Sequence, residues 1–245
     1  MGKLILLILG LSIAGMSLAS ASRKLEEDVI ATRDGDLVIT FVGHGSLMFR
    51  HKDKIIHIDP VSAETDYERL PKADIILITH EHFDHLDIEA LKILKKEGTR
   101  IVMSESCSDK CPGGTVMKNG GKIDVLGYAV EAVPAYNIRN KRPDGQPFHP
   151  KGRGNGYVLT IGGKKVYVAG DTENTPEMKA LRGIDVAFLP MNLPYTMTPE
   201  MAADAARAFK PGILYPYHYG ETDTAELVNL LKDETSIEVR IRKLK

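Results

Sequence analysis

The feature that most constrains the fold is a run of metal-binding residue types held between an apolar strand and a helix. Ile75–Ile78 is a run of four apolar residues typical of a buried strand, and the segment Thr79–His85 (THEHFDH) follows it directly. Asp87 then predicts the N-cap of a helix that runs to Gly98. The segment is therefore predicted to be a loop at the carboxyl end of a strand, where rigid elements commonly hold functional residues.

Four side chains of this loop are of types that bind metal ions: His80, His82, Asp84 and His85. His80 and His82 project to one side of an extended chain, and the other two follow as the chain turns. Imidazole nitrogen and carboxylate oxygen suit Zn²⁺, and the crowding favours two ions, because one tetrahedral site does not easily take all four ligands. A solvated polar loop is the alternative. It explains the charges but not three of the protein's eight histidines within six positions.

The rest of the chain predicts a sheet-rich α/β protein. Turn residues separate about ten strand-like segments, and helical patterns come late in each half of the chain. This order predicts an αββα sandwich, in which two mixed β-sheets pack face to face with helices on the outer faces. The strand-like segments are 37–42, 54–58, 74–78, 100–103, 123–133, 156–161, 165–169, 184–189, 213–217 and 237–241, and the helical ones are 87–98, 198–209 and 224–232.

The first residues have the composition of a secretory signal peptide. Lys3 is the only charged residue before Arg23, residues 4–19 are predominantly apolar, and Ala19-Ser20-Ala21 offers small residues for cleavage. We therefore expect a signal peptide at residues 1–21 and an exported protein, periplasmic or secreted, without stable membrane insertion. An uncleaved anchor is the alternative, although the apolar run is shorter than the ~20 residues that span a bilayer. The remainder, residues 22–245, is expected to form one domain.

Export also bears on the two cysteines, Cys107 and Cys111. One helical turn places Cα atoms about 6 Å apart, which is within the range for a disulfide. In an oxidising compartment we expect a bridge that staples a loop. Two unpaired thiols in a surface turn are the alternative.

Composition bears on the class of partner. The formal net charge is -1, aromatic residues make up 6% of the chain, and Trp is absent. There is accordingly no electrostatic footprint for nucleic acid and no obvious platform for stacking bases. The predicted partner is a small-molecule substrate, and the composition does not set the oligomeric state.

The spacing His80-x-His82-x-Asp84-His85 after an apolar strand resembles the signature of the metallo-β-lactamase superfamily. Three further motifs of that superfamily occur in the expected order: an acidic residue in Ile58-Asp59-Pro60, the triplet Gly170-Asp171-Thr172, and a histidine, His218, after a late strand. The matching segment runs from about Val42 to Gly220. The resemblance implies the metallo-β-lactamase-like αββα fold and a metal-dependent hydrolase.

The resemblance also implies a set of ligands. The first zinc ion would be held by His80 and His82, the second by Asp84, His85 and His218, and Asp171 would bridge the two. Taken alone, Asp171 is better interpreted as a turn residue and His218 as a buried core histidine. Asp59 is interpreted as a hydrogen-bonding carboxylate that supports the loop rather than as a ligand.

One ligand of the superfamily is missing from its usual place. A further histidine generally lies between the first cluster and Asp171, but here Val133-Pro134-Ala135 is followed by Tyr136-Asn137. The only histidine in that interval is His149. It either replaces the missing ligand from a long loop, contacts the substrate, or is a loop residue without a role.

Four residues are predicted to contact the substrate: His44, Tyr136, Asn137 and His149. His44, in Gly43-His44-Gly45, resembles the Gly-His of the subgroup typified by ascorbate-6-phosphate lactonase and N-acylphosphatidylethanolamine phospholipase D, and it either lines the pocket or stabilises a turn. Tyr195 and Tyr217 are further candidates for substrate or oxyanion contacts.

The implied reaction is hydrolysis of an ester, lactone or phosphodiester. Asp84 and Asp171 are the predicted catalytic carboxylates, which would orient a hydroxide activated by two zinc ions. Manganese and iron stay open as alternative metals. A di-iron oxidoreductase of this fold would be expected to carry Glu in place of His82, and a nuclease would need a basic surface. A metal-binding protein without turnover is the alternative from a different functional class.

Overall fold

The computed structural model describes residues 24–245, so the predicted signal peptide at residues 1–21 lies outside the described residues. The described chain forms two seven-stranded sheets. In the first sheet the strands follow chain order: β1 (Glu26–Thr32), β2 (Gly35–Gly43), β3 (Ser46–His51), β4 (Lys54–Ile58), β5 (Ile75–Ile78), β6 (Arg100–Ser104) and β7 (Thr115–Met117). The second sheet also follows chain order: β8 (Lys122–Val125), β9 (Tyr128–Ala135), β10 (Gly154–Ile161), β11 (Lys164–Val168), β12 (Val186–Pro190), β13 (Ile213–Tyr217) and β14 (Glu238–Val239).

Each sheet is antiparallel in its first half and parallel in its second. Strands β1 to β4 and β8 to β11 pair with antiparallel neighbours. Strands β4 to β7 and β11 to β14 pair with parallel neighbours. Parallel neighbours need crossover connections, and these carry the helices. They are α1 (Ile88–Leu94), α2 (Pro176–Lys179), α3 (Pro199–Phe209) and α4 (Thr224–Leu231).

Buried apolar side chains form one cluster between the sheets and one on the outer face of each. Phe49 of the first sheet and Phe188 of the second belong to the central cluster, with ring centroids 6.0 Å apart. On the outer face of the first sheet, Leu91 of α1 packs in the same cluster as Ile76. Phe209 of α3 belongs to the cluster outside the second sheet. The predicted αββα sandwich of two mixed sheets with helices on the outer faces is confirmed.

The structure differs from the predicted elements mainly at sheet edges. Strand β1 was not predicted, because Glu26–Thr32 is largely polar, a composition that an edge strand tolerates. Strands β3 and β7 were also not predicted. The predicted strand 123–133 is divided into β8 and β9 by a turn at Leu126 and Gly127, both with positive φ. Helix α1 begins after its Asp87 cap as predicted but ends at Leu94, before Gly98.

The predicted disulfide is not formed. Cys107 and Cys111 are free and buried. The Cys107 sulfur lies 3.4 Å from Ser104 Oγ, and burial raises the pKa of its thiol to about 11. Both side chains belong to the apolar cluster beneath α1, and that packing takes the place of the expected surface staple.

Among residues 24–245, no helix has the length and apolarity needed to cross a bilayer.

Candidate metal centre

The site lies where strand ends from both sheets meet. His44, Asp59 and His218 each follow a strand directly or by one residue, and all three have left-handed backbone conformations, with φ of 46°, 43° and 46°. Such conformations are uncommon for non-glycine residues and concentrate at functional sites. The backbone N–H of His218 donates to the carbonyl of His44 at 3.1 Å, which ties the end of β13 to the end of β2.

The loop after β5 is folded into a tight turn. The backbone N–H groups of His85 and Leu86 donate to the carbonyl of His82 at 3.0 and 2.8 Å. Asp87 then caps α1 by accepting from Glu89 N at 2.8 Å. The turn reverses the chain between His82 and His85, so that the loop presents ligands to two neighbouring positions.

One group of candidate ligands consists of His80, His82 and His149, whose ligand atoms lie within 4.8 Å of one another. His80 Nε2 is 3.1 Å from His82 Nδ1. His149 Nε2 is 3.2 Å from Asp171 Oδ2, and His80 Nε2 is 3.9 Å from the same oxygen. The structure therefore places His149 where the missing third histidine was expected.

A second group surrounds the other oxygen of Asp171. His85 Nε2 and His218 Nε2 lie 3.3 and 3.5 Å from Asp171 Oδ1. Asp84 Oδ2 is 3.6 Å from His218 Nε2 and 3.6 Å from His44 Nε2. The two oxygens of Asp171 thus face different sets of ligands, which is the arrangement of a bridging carboxylate.

Four buried atoms of this second group have no hydrogen-bond partner among residues 24–245. Three of them lie close together, namely His85 Nε2, Asp171 Oδ1 and His218 Nε2, and the fourth is His218 Nδ1. An unsatisfied buried polar group typically costs about 1–3 kcal/mol, so three that converge on one point need a common partner. Nitrogen and oxygen atoms in this arrangement fit a divalent cation.

The protonation states of His80, His82 and Asp171 also suit a cation. Burial lowers the pKa of His80 well below its usual value, and the neighbouring His85 lowers it further. Burial also lowers the pKa of His82, with His149 adding to the effect. Burial alone would raise the pKa of Asp171, but His218 and His85 hold it well below its usual range. Neutral imidazoles and an ionised carboxylate are the forms that bind metal. Burial alone would lower the pKa of His85, but Asp171 and Asp59 raise it well above its usual value, so a cation displaces a proton from this ring.

Asp59 orients His85 from behind. Its carboxylate is fully buried, and its Oδ2 lies 2.8 Å from His85 Nδ1. Thr79 donates to the same carboxylate from its backbone N–H at 2.7 Å and from its hydroxyl at 2.6 Å. With Nδ1 bound to Asp59, His85 turns its Nε2 towards Asp171. Asp59 belongs to none of the candidate ligand groups, in agreement with the supporting role predicted from the sequence.

Asn137 orients His149 in the same way. Its Oδ1 accepts from the backbone N–H of His149 at 2.7 Å and lies 2.8 Å from His149 Nδ1. Its Nδ2 donates to the carbonyl of Tyr195 at 2.8 Å and to Glu173 Oε1 at 3.2 Å. The amide of Asn137 is therefore occupied within the protein. Its side chain thus faces other parts of the protein, whereas the sequence predicted that it contacts the substrate.

Glu173 supports the whole loop and was missed in the sequence. Its buried carboxylate accepts from three consecutive backbone N–H groups, those of residues 138, 139 and 140, at 2.9, 2.8 and 2.6 Å. The one available signal was its position two residues after Asp171 in an otherwise small and uncharged turn. That position does not reveal which backbone segment the carboxylate binds.

The tyrosines predicted to contact substrate have different positions. Tyr136 points away from the cavity, because its hydroxyl donates to Glu177 Oε2 at 2.9 Å and lies 3.3 Å from Lys151 Nζ. Tyr217 is fully buried and accepts from Gly170 N at 2.8 Å. Only Tyr195 of the three lines the cavity.

His44 lies in contact with the second group of candidate ligands. Its ring lies 3.8 Å from the ring of His218, measured between centroids, and its Nδ1 is 3.3 Å from the backbone oxygen of Lys245. The adjacent Gly45 is required by close packing, because a Cβ there would lie 2.8 Å from Cε1 of His85. The Gly-His-Gly motif thus packs directly against the candidate ligands His85 and His218.

An open cavity of about 690 Å³ lies over the two groups. This volume suits a small molecule. Its lining residues are His44, Val61, Ala63, Glu64, His82, Phe83, Asp84, Arg142, Phe148, His149, Asp171, Asn192, Tyr195 and His218.

Comparison with known proteins agrees with this geometry. A family profile described as the β-lactamase superfamily domain matches residues 38–218. A UPF0173 metal-dependent hydrolase from Pelotomaculum thermopropionicum is 30% identical over 220 residues, which cover 83% of this chain and 95% of the relative.

Solved structures show the same likeness. A provisionally named metal-dependent hydrolase from Parabacteroides distasonis has a TM-score of 0.87 and 50% identity, and the match covers 91% of this chain and 100% of that one. Igni18, a metallo hydrolase from Ignicoccus hospitalis, has a TM-score of 0.69 and 26% identity, with 85% and 95% covered.

Proposed function

Because the chain belongs to the β-lactamase superfamily, with the UPF0173 metal-dependent hydrolases as its relatives, we propose that its metal centre binds two zinc ions and hydrolyses an ester, lactone or phosphodiester. The observation that carries the proposal is the position of Asp171. Its two oxygens face two separate sets of ligand atoms, with His149 Nε2 at 3.2 Å from one and His85 Nε2 at 3.3 Å from the other.

The first ion would be held by His80, His82 and His149, the second by Asp84, His85 and His218, and Asp171 would contact both. When bound, the ions supply Lewis acidity that lowers the pKa of a water molecule and stabilises negative charge on oxygen. The preponderance of imidazole nitrogen over oxygen in the ligand set favours zinc over magnesium or calcium.

Asp84 is the carboxylate suited to proton transfer. It lines the cavity, unlike the supporting Asp59. Burial alone would raise its pKa, but the imidazoles of His218 and His44, each 3.6 Å away, hold it far below its usual range, so it is ionised and can accept hydrogen bonds from water. In the proposed step the water oxygen bonds to the carbonyl carbon or to phosphorus, the bond to the leaving oxygen breaks, and Asp84 passes the water's proton to that oxygen.

The Gly43-His44-Gly45 motif further supports placement with the ascorbate-6-phosphate lactonase and N-acylphosphatidylethanolamine phospholipase D type of enzyme. His44 Nε2 lies 3.6 Å from Asp84 Oδ2, where it would hold that carboxylate in place. A substrate from the lactone or phosphodiester class is expected on this account.

The test is an assay of the purified protein, metal-free and reconstituted with zinc, manganese or iron, against lactone, phosphodiester and amide substrates. We expect zinc-dependent hydrolysis that is lost in His82→Ala. Full occupancy by two metals without turnover on any substrate would instead identify a metal-binding protein, and redox activity with iron would overturn the zinc assignment.

We propose in addition that the protein acts outside the cytoplasm on a small-molecule substrate, without nucleic acid as a partner. The support is the signal-like composition of residues 1–21 and the net charge of -1. Sequencing the amino terminus of the protein recovered from cell fractions tests export. A mature chain that begins near Ser22 in the exported fraction is expected, and an intact chain in the cytoplasm would contradict it.

A further inference from the structure

Arg142 is the only lysine or arginine among the described residues that line the cavity. Its side chain makes one hydrogen bond, from Nη2 to the carbonyl of Phe148 at 3.2 Å, and it forms no ion pair with any carboxylate of residues 24–245. A guanidinium carries five N–H donors in a planar fork that matches carboxylate and phosphate oxygens. Most of these donors are therefore available at the cavity wall.

The backbone around Arg142 is fixed by a closed hairpin. Arg142 N donates to the carbonyl of Gln146 at 2.7 Å, Gly145 N donates to the carbonyl of Arg142 at 2.9 Å, and Lys141 pairs with Pro147 in a β-bridge. The base of the hairpin is held by the buried carboxylate of Glu173. The loop that carries Arg142 is thus the one that supplies His149.

The same cavity has apolar walls. Phe83 lines the cavity next to the proposed ligand His82, and 84% of this large hydrophobic residue is exposed. Phe148 and Tyr195 pack edge to face, with ring centroids 5.1 Å apart, and Val61 lines the cavity as well. Exposed apolar surface of this kind within a concave site marks the binding of an apolar group.

We propose that the substrate is a small amphiphilic anion, with an apolar group that packs against Phe83, Phe148 and Tyr195 and a carboxylate or phosphate, remote from the scissile bond, that Arg142 binds. This inference rests on the proposed hydrolytic function. It narrows the substrate to molecules that fill about 690 Å³. Three carboxylates of the described chain line the cavity. Asp84 and Asp171 face the metal positions, and the carboxylate of Glu64 packs against Gly43.

The test compares three 4-nitrophenyl esters with the zinc-loaded protein: the butyrate, which is neutral, the monoester of glutarate, which adds a carboxylate, and the 4-phosphonobutyrate, which adds a phosphonate. Arg142→Gln is the variant. Arg139→Gln is the matched control, because Arg139 lies on the same loop, is exposed, and does not line the cavity.

We expect the wild type to favour at least one anionic ester over the butyrate by about tenfold in kcat/KM, the factor that one charged hydrogen bond provides. Arg142→Gln should lose that preference, so that its kcat/KM for the anionic esters falls to its own value for the butyrate, and Arg139→Gln should match the wild type on all three esters. The anionic ester that the wild type prefers shows whether Arg142 binds a carboxylate or a phosphate-like group. Equal rates on all three esters, or a preference that survives in Arg142→Gln, would overturn the inference while leaving the hydrolase function intact.

Absence of turnover on every ester would count against the proposed function, and binding then decides the substrate inference separately. Calorimetric titration with 4-phenylbutyrate and with 4-phenylbutanol measures how much the carboxylate contributes to the binding affinity. Tighter binding of the carboxylate that disappears in Arg142→Gln supports the anion site. Equal binding of the two ligands, or a carboxylate advantage that persists in the variant, refutes it.

Discussion

The hydrogen bonds of Glu173 show how firmly the first half of the metal centre is held. Oε2 accepts from the backbone N–H groups of Ile138 and Arg139. Oε1 accepts from Asn140 N and from Asn137 Nδ2. In Glu173→Gln one oxygen is replaced by an amide nitrogen, which donates hydrogen bonds and does not accept them. Two of the four hydrogen bonds are therefore lost whichever way the amide is turned.

The expected loss of stability follows from the number of hydrogen bonds that are lost. Each hydrogen bond to a charged group contributes about 1.5–3 kcal/mol, so losing two costs about 3 kcal/mol at the low end of that range. The low end applies because the exposed part of the loop can turn towards water. Asn137 then no longer fixes His149 Nε2 beside Asp171, and loss of such a supporting partner typically weakens metal binding by about 10–100-fold.

The assay measures zinc affinity by chelator competition and the free energy of unfolding by urea titration. Glu177→Gln is the matched control, because Glu177 binds the Tyr136 hydroxyl and Lys151 and makes none of the loop hydrogen bonds. We expect Glu173→Gln to keep one tight zinc ion and to bind the other weakly, and the control to bind both. A folded Glu173→Gln protein that binds both ions with wild-type affinity would refute the reasoning.

Two further predictions concern buried side chains in strand β4 and directly after it, His57 and Asp59. Asp59→Asn should weaken the second zinc ion about 10–100-fold, because Thr79 N and His85 Nδ1 contact different oxygens of Asp59 and the single oxygen of an amide cannot accept from both. Chelator competition measures this, and unchanged affinity would contradict it. His57 is buried, and burial lowers its pKa from 6.5 to about 4. The unfolded chain therefore binds this proton first, so stability is fully present above pH 6.5 and falls by about 3 kcal/mol as pH drops to 4. Urea titrations across that range should show this loss reduced in His57→Phe, and an unchanged pH slope would contradict it.

The sequence predicted candidate ligands that follow apolar strands, and the structure brings them together. Asp171 and His218 come directly after strand patterns, and parallel strands end at one edge of a sheet, so motif and fold agree on where these side chains meet. His149 is different. It reaches His80 only because Asn137 and Glu173 close a long loop, and those contacts leave no local pattern in the chain.

Tyr136 and Asn137 show why the sequence does not reveal where neighbouring side chains point. Both follow β9 and were expected at the substrate, but consecutive residues of an extended chain point in opposite directions. Tyr136 turns outward to Glu177, and Asn137 turns inward to His149.

In the fold, the unpredicted β1 is a charged edge strand, and its Asp28 binds Arg242 at 2.7 Å. That contact joins distant parts of the chain, so local sequence patterns do not reveal it.

We propose a two-ion site in which His149 is the third histidine ligand of the first ion. A crystal structure of the zinc-loaded protein, with anomalous scattering recorded at the zinc edge, tests this proposal. We expect two zinc peaks about 3.5–4 Å apart, bridged by Asp171, with Nε2 of His149 bound to the ion that His80 and His82 hold. A single peak, or a first ion that His149 does not touch, would contradict it.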